Sequence, residues 1–93
     1  MLDDKQAMFL DTIGNGSRLK IFLALLKSKD ELTLYKICRL TGLKRKLVEY
    51  HILKLIVGEL VLKKVYGQIP LYTINNESRE ANALIEFLTK TGF

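Results

Sequence analysis

Ninety-three residues allow one domain and exclude a second core, because a chain of this size buries only about 60–70% of the surface its unfolded form exposes. A hydrophobic fraction of 48%, with 18 Leu and 8 Ile, argues against disorder and leaves apolar surface for a partner chain. The longest uncharged apolar run, Ile21 to Leu26, has six residues where a membrane helix needs about 20, and Met1-Leu2-Asp3-Asp4-Lys5 lacks a signal-peptide pattern, so no membrane span and a cytoplasmic location are expected.

In chain order, Asp4 to Ile13 predicts a short amphipathic helix, with Phe9 and Ile13 beside Met8, broken by Gly14-Asn15-Gly16. Ser17 is the expected N-cap of a second helix to about Lys27. There Leu19, Phe22, Leu23 and Leu26 follow helical spacing and Ile21 and Leu25 flank them, which predicts a central helix. Thr33 can cap a third helix in which Leu34, Ile37, Cys38 and Thr41 share a face, and Gly42 ends it. Lys44 to Val57 predicts a fourth, with Val48, Ile52, Leu55 and Ile56 inward; two short helices around a Gly-containing turn read as a helix-turn-helix. Leu60 to Tyr66 and Leu71 to Ile74 are β-rich, and Gly67-Gln68-Ile69-Pro70 between them predicts a hairpin with a loop longer than two residues. Asn75 or Asn76 can cap a last helix from Glu77 to about Thr91, with Gly92 as its stop.

Charge is concentrated rather than spread. Residues 36 to 64 carry Lys36, Arg39, Lys44, Arg45, Lys46, Lys54, Lys63 and Lys64 against Glu49 and Glu59, a net +6, while the other 64 residues sum to −1. Such a block is an electrostatic footprint for a polyanion or a solvated basic face. With Val48 and Ile52 inward, a step of about 100° per residue turns Lys46, Tyr50, Leu53, Lys54 and Val57 outward and leaves Lys44 and Arg45 at the helix N-terminus. Lys63, Lys64, Tyr66 and Gln68 lie at or near the hairpin tip, and strand alternation allows only one of the two lysines to face a duplex.

Helix, helix, helix-turn-helix, hairpin, helix is the order of a winged-helix domain. The residues Ser17-Arg18-Leu19-Lys20-Ile21, Leu32-Thr33-Leu34-Tyr35-Lys36-Ile37-Cys38, Thr41-Gly42-Leu43, Val48, His51-Ile52, Leu55, Leu60-Val61 and Tyr72 resemble the ArsR-type winged helix-turn-helix regulators of prokaryotes, over about residues 17 to 74. Small archaeal and archaeal-virus regulators are the kin suspected. The resemblance implies an α+β, mostly helical fold whose core spans 17 to 74, with terminal helices in 1 to 16 and 75 to 93. It also implies a homodimeric regulator of double-stranded DNA, with helix 44 to 57 in the major groove and wing 61 to 74 on the backbone or minor groove. On this reading Lys44, Arg45, Lys46, Tyr50, Lys54, Lys63, Lys64, Tyr66 and Gln68 contact DNA. A winged-helix protein-interaction module, using Leu53 and Val57, or an RNA-binding variant, are the alternatives.

Two departures qualify the resemblance. Metal-sensing members carry a cysteine pair or more in the first helix of the helix-turn-helix; this chain has Cys38 alone, so metal sensing is not carried over, and no cofactor is expected. Cys38 is expected to be a buried structural thiol, with a dimer-linking disulfide as the alternative. The family usually places Gly immediately before the Leu-Val that opens the wing, whereas here the order is Gly58-Glu59-Leu60-Val61, which puts the geometry at Glu59 in question. His51, at the edge of the inner face, reads as a hydrogen-bonded, semi-buried histidine; with no third orienting group or pocket signature near Cys38 and His51, no enzyme is expected. Ala81, Leu84, Ile85 and Leu88 form a stripe with Phe87 beside it, and this stripe with Met8, Phe9 and Ile13 is the expected twofold dimer interface; the alternative is that the last helix packs only on its own domain.

Overall fold

The computed structural model describes all 93 residues, Met1–Phe93. Five helices and one hairpin run α1 (Asp4–Ile13), α2 (Gly16–Lys27), α3 (Leu34–Thr41), α4 (Arg45–Val57), β1 (Val61–Tyr66), β2 (Ile69–Ile74) and α5 (Arg79–Lys90). None of the helices is long and apolar enough to cross a membrane.

Side-chain caps set most of the helix starts. Asp3 and Gln6 form a reciprocal capping box on α1, the Gln6 amide donating to Asp3 Oδ1 at 2.7 Å and the Asp3 amide to Gln6 Oε1 at 3.1 Å. Asn15, not Ser17, caps α2, its Oδ1 accepting from the Arg18 amide at 3.0 Å. Thr33 caps α3 through a 3.1 Å bond from the Lys36 amide, and Gly42 closes that helix in the left-handed conformation at φ 74°. The last helix starts later than expected because Ser78 caps it, accepting from the Ala81 amide at 3.1 Å, while Asn75 is committed elsewhere: its Oδ1 accepts from the Glu77 amide at 3.2 Å and its Nδ2 donates to the Glu59 carbonyl at 2.9 Å.

The core follows from α2, whose buried residues are Arg18, Ile21, Phe22 and Leu25. This i, i+3, i+4, i+7 set lies one step away from the expected Leu19, Phe22, Leu23, Leu26 stripe; α2 is apolar on most sides, so periodicity alone did not select the face. Ile21 and Phe22 meet Ile37 of α3, Val48, Ile52 and Leu55 of α4, Leu60 and Val61 at the wing, and Tyr72 and Ile74 of β2 in one cluster. Cys38 is a free thiol and only half-buried, at the edge of this core rather than inside it.

The hairpin is tighter than expected. Tyr66 pairs directly with Ile69, leaving a two-residue turn of Gly67 and Gln68, with Gly67 at φ 65° as the first central position of such turns often requires. Ile69 and Pro70 are thus strand residues; proline is tolerated because this small sheet has no interior strand for it to interrupt at the tip. Leu32 adds a short third strand segment, exchanging backbone bonds of 2.9 and 2.8 Å with Tyr72. The result is a winged helix-turn-helix with an added C-terminal helix.

The joint between α4 and the wing resolves the glycine shift. Glu59 itself adopts φ 62°, the left-handed conformation that a glycine would take at lower cost, and the Leu60 amide reaches back to the Leu55 carbonyl at 3.0 Å to close the helix end. Gly58 is needed for another reason: a Cβ there would lie 2.8 Å from the Thr12 side chain, so α1 touches the end of α4 at that point.

Candidate nucleic-acid interface

On α4 the buried side is Val48, His51, Ile52 and Leu55, and Ile56 is half-buried. Lys44, Arg45, Lys46 and Tyr50 are exposed on the other side, and Lys54 is half-buried with its ammonium 5.7 Å from the centre of the Tyr50 ring. Lys44 stands at the N-cap with no capping hydrogen bond from its side chain, and the first turn holds no acidic residue. Three cations therefore crowd the positive end of a helix dipole, an arrangement that destabilises an isolated helix and favours an anion in front of it. None of the three forms an ion pair. Leu47, Leu53 and Val57 are also exposed on this helix.

The wing divides its cations by face. Cross-strand pairing puts Val61, Lys63 and Val65 on the side of Tyr72 and Ile74, and Leu62, Lys64 and Tyr66 on the other. Tyr72 is buried against α4, and burial with the nearby Glu49 carboxylate raises its pKa, against the opposing Arg45 charge. Lys63 thus shares the face that adjoins α4. Lys64 is turned the other way, its Nζ 3.1 Å from Glu31 Oε2, while the Tyr66 hydroxyl donates to Glu31 Oε1 at 3.2 Å. The hydrogen bond and charge of Glu31 raise the Lys64 pKa. Gln68 is exposed in the turn.

One buried polar arrangement joins residues far apart in the sequence. Arg18 is 5% exposed, and its guanidinium donates through Nη1 to the Asp11 and Thr12 carbonyls at 2.7 and 3.1 Å and through Nε to His51 Nδ1 at 3.3 Å. A buried cation is here satisfied by the negative C-terminal end of α1 and by a neutral imidazole. His51 is 4% exposed, deeper than the semi-buried position expected; burial first, and the Arg18 charge second, lower its pKa. Its ring meets that of Tyr50 edge-on at 5.2 Å, so the core contact adjoins the outward face. The signal for Arg18 was its place in the stripe with Ile21, Phe22 and Leu25.

At the termini, Ala81, Leu84 and Leu88 are buried within the chain's own core, so this part of the expected interface needs no second copy to cover it. Phe9, Ile13 and Ile85 are partly buried against the core, whereas Met8 and Phe87 are exposed, as are Leu2, Leu10 and Phe93. No group of three or more His, Cys, Asp or Glu side chains comes together.

No description of a known protein family matches the chain, and no curated protein matches its sequence. Solved structures do match. HlyU from Vibrio cholerae superposes with a TM-score of 0.79 at 27% identity, over 95% of this chain and 91% of that one. A transcriptional regulator HlyU from Vibrio vulnificus gives 0.76 at 25% identity, over 94% and 86%. The homodimeric winged helix-turn-helix DNA-binding domain Mb0332 from Mycobacterium bovis, described as a possible ArsR-family transcriptional regulator, gives 0.79 at 24% identity, over 95% and 78%. These structural neighbours are ArsR- and HlyU-type winged-helix proteins from bacteria, and they lend no support to an archaeal or viral kinship.

Proposed function

We propose that this chain is a sequence-specific, double-stranded DNA-binding transcriptional regulator, without enzymatic activity, that acts as a homodimer. The observation that carries this reading is the unpaired Lys44, Arg45 and Lys46 at the exposed N-terminus of α4, the second helix of the helix-turn-helix. That end enters the major groove first, where Arg45 and Lys46 reach guanine O6 and N7 or phosphates, Tyr50 donates to phosphate, and Lys54 follows the backbone. Lys63 and Gln68 serve the flanking backbone or minor groove, and Lys64 and Tyr66, which Glu31 holds, take a smaller share.

The second copy covers the exposed terminal side chains, with Met8 of α1 and Phe87 of α5 at the centre of the contact and Ile85 at its edge. Two α4 helices about 34 Å apart then meet successive major grooves, so the site is an imperfect palindrome with half-sites about 10 bp apart or a multiple of that. Occupancy of a promoter regulates by excluding polymerase or, from upstream, by recruiting it.

Selection of bound fragments from random duplex DNA at physiological salt tests this reading. A palindromic product is expected, with affinity falling about 10³–10⁵-fold between 50 and 200 mM salt if the dimer neutralises roughly 6–10 phosphates. Recovery of no preferred sequence, with retention of a protein partner, would favour the interaction-module reading, for which the exposed Leu47, Leu53 and Val57 are the supporting observation.

A further inference from the structure

Away from α4 lies a groove between α2 and α3 of about 510 Å³, within the size range of small-molecule sites. Its α2 wall is made by Lys20, Leu23, Ala24 and Lys27, the i, i+3, i+4, i+7 face turned from the buried Ile21, Phe22 and Leu25. Its α3 wall carries Lys36, with Leu32 at the base. The floor is apolar and the rim is cationic. No acidic side chain lines the groove, and none of its three lysines forms an ion pair, although Glu31 lies next in the chain to Leu32 and is held by Lys64 instead. The two hydroxyls of the lining donate to backbone carbonyls, Ser28 to Asp30 at 2.8 Å and Thr41 to Ile37 at 2.7 Å. Hydrogen-bond donors in search of a partner are thus the ammonium groups alone.

We propose that this groove binds a small amphipathic anion, with an aliphatic or aromatic body on the leucine floor and a carboxylate, phosphate or sulfonate among Lys20, Lys27 and Lys36. An apolar guest without charge would leave the three exposed lysines of the rim uncompensated; an anion offsets their charge, and a hydrophilic one would leave the floor wet. Leu40, 56% exposed at the rim on α3, supplies the remaining apolar cover. None of the α4 or wing residues assigned to DNA lines the groove, so this site stands or falls independently of the duplex interface.

Sodium decanoate, decyltrimethylammonium and decanol, titrated into the full chain while backbone amide chemical shifts are followed, make the test. Decanoate is expected to shift the amides of Leu23, Ala24, Leu40 and Thr41 saturably and to bind at least about tenfold more tightly than the cation or the alcohol. The triple variant Lys20→Gln/Lys27→Gln/Lys36→Gln, with an unchanged melting temperature, is expected to lose about tenfold in decanoate affinity. Ala24→Met, which fills the floor and keeps every charge, is expected to weaken decanoate as well and guards against reading simple charge loss as site loss. Equal binding of all three amphiphiles, or shifts centred on Met8 and Phe87, overturns the proposal. So does a triple variant that binds duplex DNA more weakly but decanoate unchanged, since the lysines would then serve phosphates.

Discussion

The N-terminus of α4 and the wing carry similar numbers of cations, yet the fold treats them oppositely. Lys44, Arg45 and Lys46 share the first turn with no acidic residue and form no ion pair. In the wing, Lys64 and Tyr66 are both engaged by Glu31, and only Lys63 remains on the α4 side. Arg18 extends the contrast, being a cation withdrawn from solvent altogether and spent on two carbonyls and an imidazole. The net +6 of residues 36 to 64 therefore overstates the charge offered to a ligand, and position within the fold decides which cations hold structure and which are free.

The largest expected effect falls on a held cation. Arg18→Met strips partners from buried carbonyls and from His51, and should destabilise the fold by about 3 kcal/mol, enough to lower the melting temperature by more than about 10 °C. Lys46→Met, on the free side, should leave the thermal transition within about 0.5 kcal/mol of the parent. Chemical denaturation of the two variants side by side checks the contrast; equal losses would mean that burial does not separate the two classes.

Next in size is binding. Arg45→Ala/Lys46→Ala should weaken a selected duplex by about 100-fold without altering stability, from the range of major-groove base contacts. Lys64→Ala should change the same affinity by less than about threefold, because its charge is already countered by Glu31. Fluorescence anisotropy at fixed salt measures both. A Lys64→Ala loss as large as that of the α4 pair would erase the distinction between held and free cations.

A smaller effect is expected from pH. His51 has a folded pKa below its ordinary 6.5, from burial and then from Arg18. Its unfolded state therefore binds more protons at mildly acid pH, so stability holds above about pH 6.5 and falls as pH drops below it, by at most about 1.4 kcal/mol per pH unit. His51→Gln keeps an acceptor for the Arg18 Nε and should flatten the slope between pH 7 and 5. Denaturation midpoints across that interval check the sign; a parent that gains stability on acidification contradicts the pairing.

What was legible in the sequence follows from how local the cause is. The outward set on α4 could be read because Val48, Ile52 and Leu55 recur at helical spacing, and Thr33 and Gly42 punctuated α3 correctly because each lies beside a single candidate boundary. Where several residues could do one job, the choice was made by their other partners: Asn15 rather than Ser17, and Ser78 rather than Asn75, whose oxygen accepts from the Glu77 amide and whose Nδ2 donates to the Glu59 carbonyl. Ile69-Pro70 reads as loop by composition but pairs with Tyr66 and Val65 once the turn closes at Gly67-Gln68. The Glu31 clamp on the wing joins residues more than 30 positions apart, and Arg18 meets His51 across 33; no spacing rule carries that information.

The joint that connects the two regions supplies the smallest effect and a control for all the others. Glu59 holds φ 62° between the last turn of α4 and the first residue of β1, a conformation that costs a residue with a Cβ about 1 kcal/mol. Glycine there removes the strain but adds freedom to the unfolded chain, so Glu59→Gly should stabilise by only about 0.5 kcal/mol. Gly58→Ala one residue earlier should do the opposite, because its Cβ would meet Thr12 at 2.8 Å and push α1 off the end of α4. Since Glu59 is not among the residues assigned to DNA, Glu59→Gly should leave the sequence preference of binding unchanged while raising the denaturation midpoint. A variant that is more stable but reads DNA differently would show that the angle between α4 and the wing, and not only the cations they carry, selects the site.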